Sequence, residues 1–145
     1  MGYVTVEESA RAIIAERLAR GESPRPDPVT FVREILRRDI EKYPRHARTP
    51  HWVFFDRGIV DALGMLHEAS VLPDGELRAT LASYPFHRSA LILPPWEAIY
   101  ATDAERDQSF AEAVHVHACP PYPCGKHRLT TSEPMLTTAA TLRVI

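Results

Sequence analysis

The sequence predicts an α/β fold built around a parallel sheet, and three observations lead there. Segments with helical periodicity alternate with short strand-like runs along the whole chain, the order expected of helices packed on a parallel sheet. Two of those runs, His51-Trp52-Val53-Phe54-Phe55 and Ala90-Leu91-Ile92-Leu93, are apolar without interruption, as in strands covered on both faces. The length, 145 residues, suits one compact domain.

Tyr3 to Val6 is rich in β-branched residues and reads as a strand that stops at Glu7-Glu8. Ala10, Ile13, Ile14 and Leu18 then share one helical face, with Gly21 as the natural stop. Prolines 24 and 26 break the chain into a loop. Asp27 is placed to cap a second helix that has Pro28 at its first position. Phe31, Ile35 and Leu36 form its buried stripe, and Tyr43-Pro44 is its expected end.

The run at 51–55 is the second strand, cut off by Asp56-Arg57-Gly58. A helix carrying Val60, Leu63 and Leu66 follows, then one capped by Asp74 with Leu77, Leu81 and Tyr84 inward. Ala90–Leu93 is stopped by Pro94-Pro95, and Asp103 is expected to open a last helix containing Phe110 and Val114. Trp52 and Trp96 read as packing residues at strand ends. The domain reading is therefore 1–118, with 119–145 as a divergent tail. That tail holds four of the 13 prolines, many threonines and one acidic residue, Glu133, and only Thr141-Leu142-Arg143-Val144-Ile145 is strand-like.

Composition excludes several classes. A net charge of -2 lacks the basic excess of nucleic-acid binders. No apolar run reaches the roughly 20 residues of a membrane span, and the first residues lack the pattern of a signal peptide. Two cysteines, Cys119 and Cys124, do not make a secreted disulfide framework, so the expected location is the cytoplasm. His46, His51, His67 and His87 have no nucleophile near them in sequence.

Chemistry concentrates at strand ends, where ligands bind in open α/β sheets. Asp56 ends an apolar strand and can hold magnesium beside a nucleotide's phosphates. Arg57 can fork two hydrogen bonds to a phosphate or an acidic substrate. The alternative reading is a helix-capping Asp and a solvated Arg. Glu7 and Glu8 follow the first strand and can supply a general base or a metal contact. First-turn acids also answer the helix dipole, and both readings stay open. His115, His117, Cys119 and Cys124 carry four donors of the type zinc takes. His115 and His117 lie two apart on a helix, however, and prolines 120, 121 and 123 stiffen the stretch between the cysteines. A small zinc module is the minor alternative.

Four segments together resemble a known group. Val6-Glu7-Glu8-Ser9-Ala10-Arg11, Val53-Phe54-Phe55-Asp56-Arg57-Gly58, Leu91-Ile92-Leu93-Pro94-Pro95-Trp96 and the stretch from Asp103 through Arg106 to Phe110 occur in this order. They resemble bacterial predicted AAA family ATPases with a P-loop kinase-like fold. Those are related to the ribosylnicotinamide-kinase domain of NadR and, more distantly, to deoxynucleoside kinases. The resemblance covers residue 2 to about residue 117.

It implies a three-layer P-loop NTPase fold, with ATP and magnesium as cofactors and a small phosphoryl acceptor as partner. Glu8 corresponds to the acidic residue facing acceptor or magnesium, with Glu7 the poorer match. Asp56 corresponds to the Walker-B-like acid, holding magnesium through water. Arg57 corresponds to the substrate-side arginine, and Arg106 to a lid arginine reaching the transferring phosphate. The alternative for Arg106 is a surface ion pair with Asp103 or Asp107.

Two departures accompany the matches. The group starts with a strand, a G-x-x-x-x-G-K-[ST] loop and a helix, and no such motif occurs in the 145 residues. The chain is thus expected to be a fragment that begins after its phosphate-binding loop, inactive by itself, with a degenerate, non-catalytic binding domain as the rival reading. Past the lid helix the group has a Gly-Tyr-x-Val-like strand, where this chain has Gly125-Lys126-His127-Arg128. The group's strand order, 2-3-1-4-5, would leave an empty slot between the strands at 52–56 and 90–93. Unpaired backbone facing such a gap is costly. Either those strands close up, or the run at 141–145 fills the gap.

Overall fold

The computed structural model describes residues 3–87, 90–103, 109–118 and 141–144. It is an α/β fold with the elements β1 (Val4–Val6), α1 (Ser9–Ala19), α2 (Pro28–His46), β2 (Val53–Asp56), α3 (Ile59–Glu68), α4 (Asp74–Ser83), β3 (Ala90–Ile92), a single 3-10 turn (Glu97–Ile99), α5 (Phe110–Ala118) and β4 (Thr141–Val144).

The sheet order is β1-β2-β4-β3. β1 and β2 are parallel, in the register Val4↔Val53 to Val6↔Phe55. β4 runs antiparallel to both of its neighbours, pairing Phe55↔Arg143 on one side and Ala90↔Arg143 on the other. The run near the end of the chain therefore occupies the slot between the two apolar strands, the second of the two outcomes expected. β1, β2 and β3 point the same way, as in the parallel sheet expected from sequence, and the antiparallel β4 makes the sheet mixed. A strand entering this slot saturates the edges on both sides whichever way it points, so direction follows from where the chain arrives.

Local chemistry accounts for the helix ends. Asp27 caps α2, its Oδ2 accepting from Thr30 N–H at 2.8 Å, and Pro28 sits in the first turn. α1 closes with Gly21 at φ +70°, Gly21 N–H donating to the Leu18 carbonyl and Glu22 N–H to that of Arg17. These are the paired bonds of a Schellman end, and the left-handed turn is what glycine supplies.

Three helix expectations are corrected. α2 runs through Pro44 to His46, because a proline near the last turn deletes only one bond. α4 has Pro73, not Asp74, at its N-cap position. α5 starts at Phe110, not Asp103, with Ser109 and Glu112 exchanging bonds as a capping box.

Among the described residues the core has three parts. Tyr43, Ile59, Leu63, Leu66, Leu72 and Leu77 form the largest, between α2, α3 and α4. Val6, Val53 and Phe55 form the sheet part, and Ile13, Ile14 and Phe31 join α1 to α2. Phe86 packs on the first two, and Tyr43 ties them further, its ring 5.3 Å from Phe86 and 6.5 Å from Phe55. The Tyr43 hydroxyl donates to the Pro85 carbonyl. Leu18 and Val114, expected inward, are exposed, as is Trp52, which stacks edge-on against His87 at 5.1 Å. No helix among the described residues is long and apolar enough to cross a membrane.

Candidate functional site

The site starts from the register of β1 and β2. Val6 lies opposite Phe55 in a parallel pair, so the chain leaves both strands at the same end. Two residues further on, Glu8 and Arg57 stand side by side. Glu8 Oε1 lies 3.4 Å from Arg57 Nε, and the Glu8 side chain is only 15% exposed. Glu7 is exposed.

Arg57 reaches this place through an unusual turn. Its φ is +61° and that of Gly58 is +144°. The first is a left-handed conformation disfavoured for side-chain-bearing residues, and the second belongs almost wholly to glycine. Strained backbone between a strand and a helix is typical of positions held for a ligand.

Glu8 and Arg57 open on a cleft of about 840 Å³. Its apolar wall includes Ile14, Phe31, Ile35 and Met65, and its polar lining includes Arg25, Asp39 and Asp61. Asp39 and Asp61 are both buried, as is Ser9. Ser9 donates its hydroxyl to Asp39 Oδ1. Lys42 Nζ donates to Ser9 Oγ and to the Glu7 carbonyl, each at 2.8 Å.

Burial pushes the Asp39 carboxyl up to about 6, against the downward pull of Ser9 and Lys42, while Asp61 and Glu8 add to the rise. A cleft carboxyl titrating near neutrality can take or give a proton under ordinary conditions.

The other expected residues are more scattered. Asp56 ends β2, half-buried, and does not line the cleft. Arg106, Cys119 and Cys124 lie outside the described residues, as does the side chain of His117. His115 is exposed and lines the cleft from α5. Among the described residues no three His, Cys, Asp or Glu side chains are grouped to hold a metal.

Asp39, Asp61, Ser9 and Lys42 were not singled out from sequence. The signal for Asp39 was present: it continues the line of Phe31 and Ile35 at helical spacing, a carboxylate on an apolar stripe.

A family model described as "AAA domain" matches residues 1–120. The chain belongs to this AAA domain family. No curated protein and no solved structure matches it. In this AAA domain the matched span takes in β1 through α5, and with them the pair Glu8 and Arg57 and the whole lining of the cleft.

Proposed function

We propose that this AAA domain supplies the acceptor side of an ATP-dependent enzyme, an ATPase or small-molecule kinase acting with magnesium. The observation that carries the reading is the Glu8–Arg57 pair, at the shared exit of two parallel strands and facing a cleft. A kinship with the ribosylnicotinamide-kinase domain of NadR and the three-layer P-loop architecture are part of the proposal.

The residues fit a magnesium site of the sparse kind. Magnesium beside a nucleotide takes one or two protein carboxylates and fills its other positions with phosphate oxygens and water. Asp56 and Glu8 are carboxylates at adjacent strand ends, so a cage of three protein ligands is not needed. ATP, when bound, supplies the phosphoryl group. The glycine-rich cradle it requires is not encoded in these 145 residues, and the proposal assigns that part to other sequence.

Within the cleft, Arg57 orients an acceptor through its guanidinium fork, and Glu8 accepts a hydrogen bond from the acceptor's hydroxyl. Phe31 and Ile35 give the same cleft an apolar wall beside that contact. Arg106 is assigned to the phosphate from the lid-like segment.

The absence of a G-x-x-x-x-G-K-[ST] motif also favours a second reading, a domain that keeps the cleft for binding and performs no chemistry.

The experiment compares this chain with the product read from DNA extended upstream of Met1. An in-frame stretch on the order of 30 codons with a Gly-Lys-Ser/Thr loop is expected there. The longer product should hydrolyse or transfer from ATP with magnesium and lose that turnover on Asp56→Ala, while the 145-residue chain should show none. A stop codon directly before Met1, with no such loop upstream, would favour the binding domain.

A further inference from the structure

We infer that Lys42 and Asp39 of α2 are positioning residues that hold Glu8 in the cleft by gripping the chain on both sides of it. The inference rests on reading Glu8 as the acceptor-side carboxylate. Lys42 Nζ reaches the Glu7 carbonyl, just before Glu8, and the Ser9 hydroxyl, just after it, both at 2.8 Å. Ser9 is held a second time, by Asp39. Both flanks of Glu8 are thus fixed to one turn of a helix far away in sequence.

Glu8 stands at the N-cap of α1, yet its side chain makes no capping bond and goes to Arg57. Ser9 and Asp39 are 2% and 4% exposed, so water cannot readily take over either bond. A strut serving the fold alone has no need of these groups, since apolar side chains pack a helix against a turn at lower desolvation cost. Directional bonds on either side of one residue set the angle at which its side chain leaves the backbone.

The charged groups around Asp39 come from every neighbouring element. They are Lys42 on α2, Glu8 before α1, Asp61 on α3, and Arg57 beyond Glu8. Protonation of Asp39 changes the balance of charge around Ser9 and Lys42, so the grip varies with pH through about 6.

The test uses the full 145-residue chain labelled with ¹⁵N. The Arg57 Nε–Hε signal, assigned by its loss in Arg57→Lys, reports the Glu8 contact through its solvent exchange rate. Lys42→Met should speed that exchange at least tenfold with an unchanged far-ultraviolet circular dichroism spectrum, and Lys42→Arg should restore it. Unchanged exchange in Lys42→Met, or no recovery in Lys42→Arg, overturns the inference. Should Lys42→Met fail to fold, Asp39→Asn decides. The wild-type signal should show a pH step near the Asp39 titration that Asp39→Asn abolishes, and a step that persists overturns the inference. None of these readouts is turnover. A longer product without ATP turnover, beside an intact grip, would sink the enzyme reading alone.

Discussion

Asp39, midway along α2, accepts the hydroxyl of Ser9 at the first position of α1, and both residues are buried. A buried carboxylate held by one hydroxyl, with the Lys42 ammonium acting on it only through its charge, is expensive. Its carboxyl, pushed up to about 6 mainly by burial, lies above the value of about 3.9 for an exposed Asp. A group whose folded pKa is raised contributes stability that is full below its unfolded pKa and lost as pH rises through its folded one. The window is therefore roughly pH 4 to 6, and a shift of about two units corresponds to about 3 kcal/mol.

Asp39→Asn should thus be more stable than wild type at pH 7.5, by on the order of 1–3 kcal/mol. The advantage should shrink towards zero near pH 4. Urea unfolding at four pH values across this range measures it. A variant less stable at pH 7.5 would mean that attraction to Lys42 outweighs the desolvation of the carboxylate.

Gly58→Ala should cost about 1–3 kcal/mol through backbone strain. An added Cβ would meet nothing nearer than 3.8 Å, from Phe55 and Phe86, so the penalty comes from φ +144° and not from a clash. Denaturant titration gives the stability loss. The same variant should alter the Arg57 signal, because the turn aims that side chain.

Tyr43→Phe should cost about 1 kcal/mol, the net worth of the hydrogen bond to the Pro85 carbonyl. Tyr43→Ala should cost about 3–5 kcal/mol, since it opens a cavity among aromatic rings. Those rings belong to Phe55, Tyr84 and Phe86. Thermal unfolding separates the two cases. Equal losses would mean that the ring contributes little beyond its hydroxyl.

Deleting residues 141–145 should leave facing edges of β2 and β3 unpaired and promote association between chains. Light scattering during size-exclusion chromatography reads this directly. A monodisperse, stable truncated chain would show that the sheet does not depend on β4.

Much of the fold was legible because its signals are local. The apolar run before Asp56, the Asp27-Pro28 cap and the left-handed Gly21 each act within one turn of chain. The place of β4 was one of the two outcomes that the need to satisfy two strand edges left open. Its antiparallel direction was not legible, because that depends on the route of the intervening residues. At the site, Glu8 and Arg57 could be singled out as strand-end residues, and their contact follows from the register Val6↔Phe55. Asp39 and Asp61 were missed because stripe reading counts apolar residues, whereas burial of a carboxylate is decided by partners distant in sequence. The start of α5 was missed although Ser109-x-x-Glu112 was there to be read.

Two lines of side chains run along α2. Val29, Leu36, Ile40 and Tyr43 meet the central core, whereas Phe31, Ile35 and Asp39 meet the cleft. Val32 touches both. The two lines are separable only in part, because Phe31 and Ile35 also pack against α1 and Asp39 holds Ser9. Substitutions along the cleft line therefore alter the cleft wall and the seam between α1 and α2 together, while the contacts of the other line with the central core stay in place.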